Sequence, residues 1–366
     1  MSKFLIWGTG IVAAQNLRLF SRMNFATENQ IIGFVDNNPQ KWGDKFNGYN
    51  IYAPDEIKSV DFDHICIWVR DTAGREVRRQ IVEDLKIAEN KLKDIFMPYK
   101  QKIYERYRNV NDRSMQEFLR EMENDMFLSV YYYKKANDKD ILHEVYYDKD
   151  TDLHYIYFES KRMYFKRDFQ GFFEKGGKKV IGNIWAEQDL NSPHLYEYGD
   201  IAVKQGDVLV DAGVCEGNFA LHHIEKVSKV YLVECDEAWM EALQYTFRPY
   251  KDKVVFCNKF LSDKNSQSTI NLDTLVSEPV DFIKMDIEGA EIEALNGAAR
   301  VFAKSKNIRC ALCSYHKHGD EEKIIKILES YGMQTETSKG YMLFFYDSSV
   351  LENPELRRGI VRGVKS

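Results

Sequence analysis

Twice along the chain a short apolar run ends in a glycine turn that opens a helix. That repeated junction restricts the fold to sheets whose strands run parallel under covering helices. The first copy is Lys3-Phe4-Leu5-Ile6-Trp7 followed by Gly8-Thr9-Gly10, with a helix expected toward Phe20. The second is Asp207-Val208-Leu209-Val210 followed by Asp211-Ala212-Gly213-Val214-Cys215-Glu216-Gly217-Asn218, with a helix over Phe219 to Ile224. Further apolar runs follow each copy: Ile31 to Val35 and His64 to Val69 after the first, and Val230 to Val233, Val254 to Phe256, Val280 to Met285 and Ile308 to Ser314 after the second. A last strand is expected at Tyr341 to Tyr346. A length of 366 residues accommodates two such sheets.

Between them the pattern changes. Arg113 to Asn124 has helical spacing. His154 to Phe158 and Lys161 to Phe165 read as a hairpin. The expected division is residues 1–98 as the first sheet domain, 99–195 as a helical connector with a small lid-like hairpin element, 196–350 as the second sheet domain, and 351–366 as a basic tail. The tail's Arg357, Arg358, Arg362 and Lys365 are read as solvated surface.

Open α/β sheets bind ligands at the carboxyl ends of their strands. The second glycine loop reads D-x-G-x-x-x-G, which differs from the G-x-G-x-x-G that cradles a pyrophosphate. An acid opening the loop suits a zwitterionic, partly cationic ligand, and S-adenosylmethionine is one. The candidate donor-binding residues are Asp211, Gly213, Val214, Glu216, Gly217 and Asn218 in the loop. Beyond it, Glu234 and Cys235 end the next strand, where a carboxylate can accept bonds from ribose hydroxyls. Ser262 and Asp263 follow the third strand, near an expected adenine, and Asp286 ends the fourth. Transfer of that ligand's methyl group requires alignment with an acceptor and an exit for any proton it loses. Asp286, Glu288 and His316 lie at neighbouring strand ends and are the catalytic candidates. They could act as a base or hold a divalent cation, although no residue is assigned to a metal. In the first domain Gly8, Gly10 and Asp36 outline a nucleotide or nucleotide-sugar site; a docking module is the plain alternative.

The run Val280-Asp281-Phe282-Ile283-Lys284-Met285-Asp286-Ile287-Glu288-Gly289-Ala290-Glu291, continuing to Asn296-Gly297-Ala298, resembles the signature of the FkbM family of methyltransferases. Asp211-Ala212-Gly213, Glu234, Leu261-Ser262-Asp263 and Leu272-Asp273-Thr274 are similar to that family in order and spacing. The resemblance spans about Tyr196 to Asp347. It departs at Val214-Cys215-Glu216 and in a short stretch before Asn271. It implies S-adenosylmethionine as donor and O-methylation of a sugar or natural product, here a small-molecule or glycan acceptor in surface-polysaccharide assembly. Gly8-Thr9-Gly10, Gly33-Phe34-Val35-Asp36-Asn37 and Gly48-Tyr49-Asn50-Ile51 resemble the Rossmann-like domain of bacterial glycan-modifying enzymes. The expected fold is therefore α/β: an N-terminal Rossmann-like parallel sheet, then a doubly wound sheet like that of class I methyltransferases.

Other classes are weighed against these. A formal net charge of -6 argues against nucleic-acid binding. No apolar run is long enough to span a bilayer and no leader precedes the first strand, so a cytoplasmic protein is expected. Cys310 and Cys313, with His316 and His318, invite a zinc reading. Positions three apart in a strand face opposite sides, so those two thiols cannot easily share an ion. A scaffold that has lost catalysis and a nicotinamide-dependent oxidoreductase are the competing functions. The second lacks a Tyr-x-x-x-Lys pair after the third N-terminal strand.

Overall fold

The computed structural model describes residues 1–23, 28–133 and 141–365. The chain divides into two compact units, residues 1–132 with 343–356, and residues 133–342 with 357–366. This division cuts across the boundaries expected at 98, 195 and 350. Helices Met97–Tyr107 and Arg113–Asn124, read as connector, belong to the first unit. So does the late segment 343–356. Its backbone is held by Leu343 N–H on the Val130 carbonyl (2.5 Å), Tyr99 hydroxyl on the Val350 carbonyl (2.5 Å) and Arg106 on the Pro354 carbonyl (2.7 Å). Such bonds join residues hundreds of positions apart, which no local pattern encodes.

In the first unit, β1 (Ser2–Trp7), β2 (Asn29–Val35), β3 (Lys45–Phe46), β4 (Tyr49–Tyr52) and β5 (His64–Ile67) form one sheet in the order β3-β4-β2-β1-β5. All pairs are parallel except β3–β4. Apolar residues on both faces of β1 are buried, Leu5 and Ile6 completely, as expected for a strand covered by helices on both sides.

The second unit is built on β6 (Val208–Ala212), β7 (Lys229–Val233), β8 (Val254–Cys257), β9 (Phe282–Met285), β10 (Arg309–Cys313), β11 (Gln334–Thr337) and β12 (Ile360–Val364). Their order is β8-β7-β6-β9-β10-β12-β11. The first five strands are parallel, and β12 runs antiparallel between β10 and β11. This is the class I methyltransferase sheet. The order reverses beside β6, so the crevice that binds ligands in open sheets lies over β6 and β9.

Two expectations change here. Residues Tyr341–Tyr346 form no strand; the antiparallel edge is built by β11 and β12 instead. The basic tail is strand β12, and Arg362 within it is 3% exposed. Val361 completes the apolar core with Ile283, Met285 and Leu312, so burying the strand carries its charged neighbour inside. The hairpin at Leu153–Phe158 and Lys161–Phe165 is present. It packs on helix Glu237–Thr246 through Tyr164 N–H to Thr246 Oγ1 (2.9 Å), while Lys166 pairs with Asp236 at 2.7 Å. Among the described residues no helix is long and apolar enough to cross a membrane.

Candidate active site

The glycine loop leaves β6 and presses against the end of β9. Gly213 has φ +72°, and a Cβ there would stand 1.7 Å from the Asp286 carbonyl oxygen. Only glycine permits that approach. Gly217, at φ +83°, likewise has Leu243 and Phe247 where a side chain would go. Asp211 is fully buried beneath the loop. Its register partner on β9 is Lys284, whose ammonium lies 3.2 Å away and donates to the Gly213 carbonyl at 2.6 Å. Burial opposes charge on Lys284, but Asp211 and Asp286 together keep its pKa above the usual lysine value. Asp211 thus shapes the loop from below. Val214 is buried, Glu216 is half-buried with its pKa pushed up to about 7 by burial, and Asn218 accepts the Phe219 N–H at 2.7 Å.

Glu234, 6% exposed, joins the loop to the second strand end. One carboxylate oxygen accepts the Cys215 N–H (3.0 Å) and the other the Asp236 N–H (2.9 Å). Each oxygen keeps a lone pair for a further donor. Cys235 beside it is exposed. Asn258, directly after β8, donates to the Glu234 carbonyl at 2.8 Å. Ser262 and Asp263, expected near an adenine, pack on Gly297, where a Cβ would meet the Ser262 carbonyl at 2.5 Å.

Asp286 is the centre of the second cluster. Its Oδ2 accepts the Tyr196 hydroxyl at 2.9 Å and lies 3.5 Å from His194 Nε2; its Oδ1 lies 3.4 Å from His316 Nε2. Burial alone would raise its pKa, but His194, Lys284 and His316 hold the carboxyl well below the usual range. His316, 4% exposed, also has Nδ1 3.2 Å from Glu291 Oε1. Burial disfavours its charged form, yet Glu291, Asp286 and Glu288 raise its pKa. The imidazole lies between two carboxylates, one at each ring nitrogen, and their charges favour its protonated form. Glu288 departs from expectation. Extended geometry stops at Met285; Glu288 takes φ +56° and its side chain is 85% exposed, 3.8 Å from His316. The residue that secures the turn is Glu291, which accepts the Ile287 N–H at 2.9 Å.

The cluster draws on residues that the sequence marked weakly. His194 and Tyr196 precede the first strand of the sheet and read equally as plain loop. Both are buried, and their place is fixed by the supposed tail: Arg362 donates to the Leu195 carbonyl (2.5 Å) and the Tyr196 carbonyl (2.8 Å). Arg357 donates to the carbonyls of Tyr315 (3.0 Å) and His316 (2.9 Å). Cys310 and Cys313 do lie on opposite faces of β10. The first abuts Gly363, and the Sγ of the second is 3.6 Å from His194 Nε2.

In the first unit, Gly8 has φ +116° and sits against Val69 and Trp68, whereas Gly10 faces open space. Asp36 accepts from the Thr9 hydroxyl, from Lys41 (3.0 Å) and from the Asn38 N–H (2.9 Å). Like Glu234, it joins its glycine loop to the second strand end.

No curated protein matches the sequence. Among solved structures the chain is similar to a methyltransferase FkbM from Methylobacillus flagellatus KT, at 18% identity and TM-score 0.52, over 99% of this chain and 90% of that one. Lesser likenesses, each at 0.32 or below, are to a precorrin-6y C5,15-methyltransferase from Geobacter metallireducens GS-15 and to a magnesium protoporphyrin IX methyltransferase from Synechocystis PCC 6803 with bound S-adenosylmethionine. The first is 12% identical over 45% of this chain and 84% of that one; the second, at TM-score 0.31, is 18% identical over 44% and 71%. A C2185-like N-terminal family model matches residues 1–93. The methyltransferase FkbM domain model matches residues 86–335, more than half of the chain, and the chain belongs to that family.

Proposed function

We propose that the second unit transfers the methyl group of S-adenosylmethionine to a hydroxyl of a sugar or other small-molecule acceptor, in the assembly of a surface polysaccharide. The observation that carries this reading is that two clusters meet at the strand ends. Glu234 and the loop it holds offer a carboxylate and close backbone for the donor, and the Gly213–Asp286 contact brings that loop against the acidic cluster. In the reaction the acceptor oxygen forms the new O–C bond, the C–S bond breaks, and its electron pair returns to sulfur. The hydroxyl proton leaves at the Asp286 cluster. Anionic Asp286 also favours a sulfonium nearby, and the attraction is lost once the neutral thioether forms.

A catalytically silent scaffold is disfavoured by the cost of burying so many charged groups without use. A nicotinamide enzyme is disfavoured by Asp36, whose Oδ2 is already shared between Thr9 and Lys41. Calorimetry of the full chain with S-adenosylmethionine tests the donor. Consumption of labelled donor in the presence of fractionated glycans tests the acceptor class. Absence of donor binding sinks the reading; binding with turnover only on non-glycan hydroxyls removes the polysaccharide part.

A further inference from the structure

Three side chains around the Asp286 cluster converge on one point: His194 from the segment before the sheet, Asp286 at the end of β9 and Cys313 at the end of β10. His194 Nε2 is 3.5 Å from Asp286 Oδ2 and 3.6 Å from Cys313 Sγ. The nitrogen–oxygen separation is long for a charge-assisted hydrogen bond, which runs at about 2.7–2.9 Å. Ligands bound at about 2.0–2.3 Å to one tetrahedral ion are instead held roughly 3.3–3.6 Å apart. His194 is 3% exposed and Cys313 fully buried, while the Asp286 side chain is 21% exposed. Behind the imidazole, Glu187 Oε2 lies 4.0 Å from Nδ1, and a carboxylate on that side favours a proton on Nδ1, which leaves Nε2 free for an ion; Gln188 Nε2 donates to the His194 carbonyl at 3.0 Å. The Tyr315 hydroxyl, 3.2 Å from Nε2, and the Tyr196 hydroxyl on Asp286 complete the polar wall.

The neighbouring set of Asp286, Glu291 and His316 is also close together. There the two carboxylates meet different nitrogens of one ring, so the imidazole separates them and no single ion can replace the contacts. At His194 one nitrogen faces both partners.

We propose that His194, Asp286 and Cys313 form a three-ligand site for a zinc-like divalent ion, with a fourth position open to the crevice. One imidazole, one thiolate and one carboxylate suit a borderline-soft, tetrahedral ion better than magnesium or calcium, which take oxygen ligands. The site deepens the methyltransferase reading and rests on it for its role. An ion held there would ease loss of the proton from an acceptor hydroxyl placed beside Asp286.

The test uses the full chain, stripped with a chelator and titrated with cobalt(II) and with zinc(II). The site requires one ion per chain and a thiolate-to-cobalt charge-transfer absorption. Cys313→Ala should abolish that absorption, and His194→Ala should weaken zinc binding at least tenfold, with His316→Gln retaining both. A wild-type protein that binds no stoichiometric ion, or binds cobalt without the thiolate band, overturns the site whether or not the variants fold. Donor calorimetry on the same samples keeps the two ideas apart. Donor binding without a metal sinks only the ion, and metal without donor binding sinks only the methyltransferase reading.

Discussion

The two glycine loops begin from the same sequence grammar and end in different chemistry. Each follows a buried strand, opens a helix and has an acid at the end of the second strand. In the first unit the acid, Asp36, takes the hydroxyl of the loop's Thr9 and is paired with Lys41 at 3.0 Å. In the second unit the acid, Glu234, reaches across to the loop's Cys215 N–H. Gly10 faces open space, whereas Gly213 stands against the Asp286 carbonyl. A glycine loop is only a turn; what sets the second apart is the acidic end of β9 pressed against it.

The sharpest test of that contrast exchanges the acids for amides. Asp286→Asn should lower turnover by about 10²–10⁴, the usual worth of a group that handles the acceptor proton. Asp36→Asn should leave turnover unchanged in the same donor-consumption assay. Equal losses would mean that both loops serve one reaction.

Next in size is the pair of glycines. Gly213→Ala forces a side chain into backbone at a positive φ and should destabilise the second unit by about 3 kcal/mol or more. Gly10→Ala, with no neighbour within 4 Å, should change stability by about 1 kcal/mol or less. Chemical denaturation of both variants measures the difference, and similar midpoints would show that the close approach at Gly213 is not required.

For the donor, Glu234→Ala removes acceptors worth roughly 1.5–3 kcal/mol and should weaken S-adenosylmethionine about ten- to hundredfold in calorimetry. Part of that loss comes from freeing the Cys215 N–H. Comparison with Glu234→Gln, which keeps an acceptor oxygen, separates loop support from ribose binding. Asp36→Ala should not move the affinity at all.

The smallest effect is on stability against pH. His194 and His316 both have folded pKa values raised above the ordinary imidazole value by neighbouring carboxylates that outweigh burial. Their contribution is complete below about pH 6.5 and fades as pH rises through the folded values. Asp286 has the opposite sign: its contribution is present above about pH 4 and lost in acid. Melting of the chelator-treated protein should therefore decline on the alkaline side, and His316→Gln should flatten that decline. No change in slope would show that the bridge between Asp286 and Glu291 is energetically silent.

Much of this molecule could be read locally. The Asp211 loop, Glu234 and Asp286 were legible because strand, turn and acid are neighbours in sequence, and the period-two pattern already placed Cys310 and Cys313 on opposite faces. The register pairs Lys284 with Asp211. The errors have a common origin. Arg357 and Arg362 looked like solvated tail because four basic residues near a terminus usually are. Glu288 was expected to alternate with Asp286, but the backbone turns left-handed once the strand ends.

What the sequence by itself determined is the kind of layer each segment can join, since apolar periodicity and glycine turns act over a few residues. Only the tertiary structure decided which charged groups meet. The antiparallel β12 carries Arg362 to the carbonyls of Leu195 and Tyr196, and Arg357 just before it reaches those of Tyr315 and His316, so that residues more than a hundred positions apart surround Asp286. Those pairings depend on strand order and register. The free energy that fixes strand order and register comes from burying Val361, Ile283 and Leu312 in one core, and the arginines and histidines are carried to their partners by that burial.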